Sequence, residues 1–522
     1  MLDGRFPRPV TTHIYGRTDS EGMGFPRSSL LIVSLVVVMV ALTAVHVTSD
    51  DDGEKNKDYV IISSGDTHGM VGEDGTLGFS TVKVLADQYQ AKGYPVFKVD
   101  VGDFMGGNSY LYITNGQYAT EPMEQVGYDL CTLGNHEFDY GFIALSRAIE
   151  GMSTKVICSN LFHNDGTPAV DQYAVVEKKG VRIGFFALLT PQLNDYVPEG
   201  LTGDLIIEDP IDSAKKMVAI LKEKDVDAIV LLSHLGIGKG FYHGSDIVCS
   251  QVEGIDVCIN GHSHTAMDNG EFINDSRPLI HSNTQMADVG WKSNYVGITT
   301  RISGQYEATL YKGEPLYDES VVKVVKEYRA IADQYGNRVL AVSETELTGY
   351  ADTGPGKENE LGNLCMNYLM KYDVDLALMP INNFAKGLGV GDITLYEALD
   401  AMPYDGEIYT FSVTGQELWD AVVATLTDPL MSDKLPAFSD NVCVRHGNGV
   451  PTGITIDGVE IEPDATYTAV TSSFMFNRVM HLPQDRILEI NGMLRELLLD
   501  MFEVYPIITE DDVGGNRYIE DA

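Results

Sequence analysis

Five short apolar, strand-like runs each end in a residue able to bind a metal ion. That recurrence constrains this chain more than any other feature. Tyr59–Ser63 leads into Gly65-Asp66-Thr67-His68-Gly69, and Val96–Val101 into Gly102-Asp103. Tyr128–Leu133 leads into Gly134-Asn135-His136-Glu137-Phe138-Asp139, Asp227–Leu232 into Ser233-His234, and Ile255–Ile259 into Asn260-Gly261-His262-Ser263-His264. Open α/β sheets place ligand sites outside the carboxyl ends of their strands. Any one of these endings is ordinary, since Asp after Gly marks a turn and a lone His is usually a satisfied polar group. Their repetition at the same end of successive strands predicts one metal site.

Between these runs lie helical patterns near Thr81–Ala91, Phe142–Ile149 and Ile211–Lys224, the last introduced by Asp209-Pro210. Lys178-Lys179-Gly180 separates two further runs as a hairpin turn. Alternation of this kind gives a layered α/β fold. With 522 residues the chain exceeds one ordinary domain. Val321–Leu340 reads as one connecting helix. A second unit follows, with helices near Leu361–Lys371 and Gly415–Thr425 and strands near Leu376–Met379, Ile408–Val413 and Tyr467–Thr471. The boundaries expected are 1–28 without a fold, 29–48 a membrane anchor or signal, 58–318, a connector over 319–342, and 343–522. Leu30–Val47 is almost wholly apolar and nearly spans a bilayer core. Arginines before it and Asp50-Asp51-Asp52 after it predict an external body, secreted if the segment is cleaved. Glu510–Ala522 is acidic and expected to be loosely held. Six cysteines show no metal-binding spacing; buried thiols are the first reading, with a Cys249–Cys258 disulfide as the alternative.

The predicted ligands are oxygens and imidazole nitrogens with no thiolate, a set suited to Zn, Mn, Fe or Co. Seven of them exceed the needs of one tetrahedral ion and suit two ions sharing a carboxylate. Such a pair lowers the pKa of a bound water, and the resulting hydroxide can attack a phosphate ester. His136 would stabilise the developing charge or protonate the leaving oxygen, with Asp139 holding its ring. The net charge of −40, without a basic patch, argues against nucleic acid as a partner. It leaves a small anionic substrate dependent on local cations.

These motifs, as a set and in order, resemble the calcineurin-like metallophosphoesterases, and more closely the 5'-nucleotidase family. The resemblance implies a four-layer α/β/β/α sandwich followed by an α+β substrate-binding domain. It implies that Asp66, His68, Asp103 and His264 hold one metal, and that Asp103 is shared with Asn135, His234 and His262 at the second. His136 and Asp139 would be the catalytic pair. In the second unit Tyr404 and Phe474 match the rings that stack on a nucleobase, and Asn382 and Asn383 lie where the family has substrate contacts. The pattern also departs from the family. Pro380-Ile381-Asn382-Asn383-Phe384-Ala385 lacks the family arginine, and Met475-Phe476-Asn477-Arg478-Val479 replaces a glycine-rich segment. Lys357, Lys386 and Arg478 are candidates to supply the missing charge. A 5'-nucleotide is the leading substrate. A UDP-sugar, a 2',3'-cyclic nucleotide or a sulfur ester are alternatives, as is a surface binding protein without activity.

Overall fold

A computed structural model describes residues 57–72, 76–193, 197, 199–238, 243–274, 277–282 and 295–521. Among these residues no helix is long and apolar enough to cross a membrane. The expectation for Leu30–Val47 lies outside them.

Two six-stranded sheets build the first lobe. In the first, Tyr59–Ser64, Val96–Asp100, Leu130–Cys131 and Lys155–Val156 run parallel in that order. Val296–Ile302 and Gln305–Tyr311 extend the Tyr59–Ser64 edge antiparallel. In the second, Val181–Leu189, Ala228–His234 and Val257–Asn260 are parallel neighbours. Such strands are covered on both faces, so they read as unbroken apolar runs: every residue of Ala228–His234 is buried. Between the sheets lies one core of Tyr59, Ile61, Phe97, Val99, Phe185, Val230, Leu232 and Ile259. The alternate residues Val60, Ile62 and Val96 face an outer helical layer, while Phe186, Leu188, Ile229 and Leu231 pack under Pro210–Lys222 and Ser245–Gln251. The period-two pattern thus produces the expected four layers, α/β/β/α.

In the second lobe a five-stranded mixed sheet orders Pro436–Phe438, Leu376–Pro380, Thr466–Ser472, Glu407–Thr414 and Ile487–Met493. Helices Glu360–Leu369, Leu395–Ala401 and Leu494–Val504 cover one face. Gly415–Thr427 and a small four-stranded sheet cover the other.

Several expectations are corrected. The connecting helix runs Glu319–Gly336, capped by Asp318, and Leu340 belongs instead to the strand Val339–Ser343. Gly336 and Asn337 end the helix, and the β-branched residues beyond it pair with Gly391–Thr394. The strand before Gly134 pairs only over Leu130–Cys131, because the chain then turns into its loop. The first reading of the cysteines holds: Cys249 and Cys258 are buried thiols rather than a disulfide, among the apolar side chains under the second sheet. The acidic tail is docked: Glu510–Val513 is a helix with a capping box, and Tyr518–Glu520 pairs with Val442–Gly447. Two helices went unpredicted, Ser109–Thr114 and Gln117–Val126. The first is short and aromatic, and the second contains Pro122, so neither shows a clean helical period.

A candidate dinuclear metal centre

The strand registers bring the loops together. Leu189 is level with His234, and Ser233 with Asn260, so the Gly261 amide donates to the Ser233 carbonyl at 2.9 Å. On the facing sheet the Asp66 amide donates to the Gly102 carbonyl at 2.9 Å, and that of His68 to Asp103 at 2.8 Å. Across the sheets, the His262 amide donates to Asp66 Oδ1 at 2.9 Å. Ligand atoms of Asp66, His68, Asp103 and His264 consequently lie within 4.8 Å of one another, and so do those of Asp103, His234 and His262. Asp103 belongs to both groups.

The hydrogen bonds leave the right atoms facing inward. A carbonyl oxygen can only accept, so His234 Nδ1 must donate to Val101 at 2.7 Å, and His68 Nδ1 to Gly106 at 3.2 Å. Each ring then presents Nε2 to the cluster, as outer partners of metal-bound histidines do. His234 Nε2 is 3.1 Å from Asp103 Oδ2. Asn135 Oδ1 is buried and accepts no hydrogen bond from the protein, although nearly all buried polar atoms have a partner. An oxygen withheld in this way, on the residue between Gly134 and His136, both of which meet Asp103, fits a divalent ion.

Electrostatics agree with that fit. Burial and the neighbouring His234 charge push His262 down to about 3, so its ring is neutral. Burial, with His136, likewise holds His68 well below the usual range. Burial opposes charge on His234, but Asp103 and Asp66 outweigh it and raise the group to about 9. A metal ion in place of that proton would meet the same carboxylates. Burial also works to raise Asp103, yet His234, His136 and His68 hold it well below the usual carboxylate range.

The backbone is strained where the ligands stand. Among the described residues, fourteen other than glycine have positive φ, and five of them are Asp66, His68, Asp103, His262 and His264. Such outliers persist only where the surroundings over-determine them. Glycine makes room for the cluster at Gly134, where a Cβ would stand 2.2 Å from Asp103 Oδ1 and 2.5 Å from His234 Cε1.

Beside the cluster, His136 Nδ1 and Asp139 Oδ2 are 3.0 Å apart, and the His136 ring meets that of His68 at 4.8 Å. Burial disfavours charge on His136, but Asp139, Asp103 and Glu137 prevail and hold it up at about 10. Sequence reasoning assigned no role to Glu137. Its fully buried carboxylate accepts from the amides of Asp103, Phe104 and Met105 at 2.8–2.9 Å, and from Gly134. It therefore ties the Asp103 loop to the Asn135 loop. Its place inside the most distinctive motif was the available signal.

In the second lobe Tyr404 and Phe474 are 46% and 38% exposed, so neither is a packed core ring. Asn382 Nδ2 donates to Asp433 at 3.4 Å, a carboxylate that also acts on the Tyr404 hydroxyl. Asn383 is buried. Lys357, Lys386 and Arg478 are all exposed. Sequence reasoning missed Arg495, which is buried beside Asp405 and Tyr112.

Comparison with known proteins gives two family matches: calcineurin-like phosphoesterase over residues 59–266, and 5'-nucleotidase, C-terminal domain, over 339–480. A 5'-nucleotidase of Vibrio cholerae is 21% identical over 493 residues, covering 85% of this chain and 89% of the relative. An apyrase of Anopheles gambiae is 26% identical over 390 residues, covering 67% and 65%. The crystal structure of a 5'-nucleotidase precursor from Thermus thermophilus matches with a TM-score of 0.61 at 21% identity, covering 89% of this chain and 99% of that one.

Proposed function

We propose, from the premise that this chain belongs to the 5'-nucleotidase family of calcineurin-like metallophosphoesterases and is a metal-dependent hydrolase, that it hydrolyses a 5'-nucleotide or a closely related phosphate ester at a two-metal site. The observation carrying this reading is the pair of ligand groups that share Asp103, with the His136–Asp139 pair alongside.

Asp66, His68, Asp103 and His264 would hold one divalent ion; Asp103, Asn135, His234 and His262 would hold the other. Bound there, the two ions would supply Lewis acidity toward the phosphoryl oxygens and activate a water as nucleophile. The chain's own groups do the rest. Asp103 fixes the spacing between the two ligand groups, and the Glu137 carboxylate fixes Asp103 by gripping its loop. His136, kept charged by Asp139, faces the phosphoryl group as a hydrogen-bond donor and can give a proton to the leaving oxygen. Tyr404 and Phe474 offer ring faces to a base, and Asn382, whose Oδ1 is buried without a partner, offers an acceptor to its edge.

The related apyrase supports testing nucleoside di- and triphosphates beside monophosphates. A panel of these with a UDP-sugar, a 2',3'-cyclic nucleotide and a sulfur ester, given to the full chain with manganese, zinc or cobalt, tests the reading. Nucleotides should be turned over fastest. Failure to hydrolyse any phosphate ester with metal bound would refute it. We also propose that Leu30–Val47 anchors the body outside a membrane. Recovery of the chain in the soluble fraction of intact cells would count against that.

A further inference from the structure

The family arginine missing from Pro380–Ala385 directs attention to the cations of the second lobe, of which Arg495 and Arg517 are buried and Arg495 faces the first lobe. Arg495, second residue of the helix Leu494–Val504, is 9% exposed. Its Nη2 donates to the Pro403 carbonyl at 2.7 Å, and its Nη1 is 3.7 Å from Asp405 Oδ2. Its amide donates to Asp405 Oδ1 at 3.0 Å, while the preceding amide of Leu494 donates to Gly406 at 2.7 Å. Arg495 therefore grips the loop carrying Tyr404 through the residues directly before and after it in the chain.

Its other face belongs to the first lobe. The guanidinium lies 4.9 Å over the ring of Tyr112, on the helix Ser109–Thr114. Tyr112 meets Tyr140 at 5.9 Å between ring centres, and Tyr140 directly follows Asp139. The Asp139 carboxylate also acts electrostatically on Arg495. An unbroken path thus runs from the ring-bearing loop through Arg495, Tyr112 and Tyr140 to the His136–Asp139 pair. Arg495 Nε is buried without a hydrogen-bond partner, a cost that packing alone does not explain. A guanidinium reaches Tyr112 and Pro403 with nitrogens held in one rigid fork, a geometry that a lysine ammonium on its shorter donor head reproduces only in part.

We propose that Arg495 is a positioning residue that sets the spacing between the Tyr404 loop and the His136–Asp139 pair, so that esters carrying a flat base are hydrolysed in preference to those without one. The inference rests on the phosphoesterase reading above. It predicts that the base, held at one end, delivers the phosphate to the other end within the narrow tolerance that reaction needs. A misplacement of about 1 Å there costs on the order of 10²-fold. A second contact between the two lobes, Tyr110 of the helix Ser109–Thr114 against Tyr396 of Leu395–Ala401 at 4.9 Å with Tyr396 bonded to Asp333 at 3.0 Å, does not involve Arg495. The lobes should therefore stay folded and joined without it.

The test compares adenosine 5'-monophosphate with ribose 5-phosphate, the same ester without its base, using the full chain loaded with manganese. In Arg495→Ala, kcat/KM for the nucleotide should fall about 30–100-fold while that for the sugar phosphate changes less than about threefold. Arg495→Lys should recover only part of the loss. An equal fall on both substrates, or none on either, overturns the proposal. Amide hydrogen exchange on the metal-free full chain is the second readout. Exchange at residues 109–114 and 403–406 should rise in Arg495→Ala and stay unchanged elsewhere. Unchanged exchange in those two segments overturns the positioning role whatever the activity. If the wild type hydrolyses neither substrate, the phosphoesterase reading fails, and the exchange result still decides whether Arg495 joins the two segments.

Discussion

The two lobes store their function differently. In the first, each candidate ligand sits two to four residues beyond a parallel strand or at its last position, and strand registers alone carry the ligands to a common rim. In the second, Tyr404, Phe474 and Arg495 stand on a loop, at the helical turn just past the strand Thr466–Ser472 and at the start of a helix, with twenty residues between Phe474 and Arg495. The first arrangement makes the chemistry a property of local motifs. The second makes selection a property of how distant segments pack. A change of substrate within one reaction class is therefore easier to accommodate in the second lobe than a change of reaction is in the first.

The largest effects should follow from breaking what the first lobe shares. Asp103→Asn removes charge from both ligand groups at once, and its kcat should fall at least about 10²–10³-fold with circular dichroism unchanged. Metal analysis should show the loss of both ions. If one ion remained bound at full occupancy, the shared role of Asp103 would be wrong. Chelation of wild type should abolish activity, and restored manganese, zinc or cobalt should return it.

Gly134→Ala tests the same lobe without replacing a ligand. The added methyl would collide with Asp103 and His234, and the Gly134 backbone is already packed against Gly102, where a Cβ would stand 2.5 Å from Gly134 N. Activity should drop about 10²-fold. Titration with metal should show weaker binding rather than a slower chemical step at saturation. Equal activity at saturating and wild-type metal levels, with no change in affinity, would contradict the crowding argument.

How much of this was legible in the sequence follows the same division. The four layers came from runs such as Ala228–His234, whose unbroken apolarity leaves little choice but a doubly covered strand. The ligand loops came from short motifs that need only the strand before them. Ser109–Thr114 and Gln117–Val126 escaped because their aromatic residues and Pro122 mask helical periodicity. Arg495 escaped for a deeper reason. Nothing within ten residues of it marks a site; its meaning comes from Pro403 and Asp405 on one side and Tyr112 on the other. Glu137 lies between, inside a legible motif but with a role visible only once its four amide donors are seen.

Ring removal sharpens the contrast at moderate size. Tyr404→Ala and Phe474→Ala should each raise KM for a nucleotide about tenfold, given ~1–3 kcal/mol per aromatic stack on a base. Their kcat should change little, and ribose 5-phosphate should not notice either change. If both substrates suffered alike, the exposed rings would be serving something other than a base.

The smallest effect on turnover, though not on the fold, should come from Arg517. Its side chain is 2% exposed and donates to Phe438 at 3.3 Å, to Asn367 Oδ1 and Val513 at 3.0 Å each, and to Gly515. These acceptors belong to the docked tail, the helix Glu360–Leu369 and the central sheet, so one guanidinium closes the far side of the second lobe. Arg517→Ala strands several buried acceptors at about 1–3 kcal/mol each where water cannot reach them. Thermal unfolding should come several degrees earlier, and exchange should rise over residues 507–521. Because nothing in this cluster touches Tyr404, Arg495 or the ligand loops, kcat/KM below the unfolding range should stay within about twofold, as expected for a site with no shared partners. A selective loss of nucleotide turnover in this variant would mean that the tail, too, takes part in selection, and the division between the lobes would have to be redrawn around it.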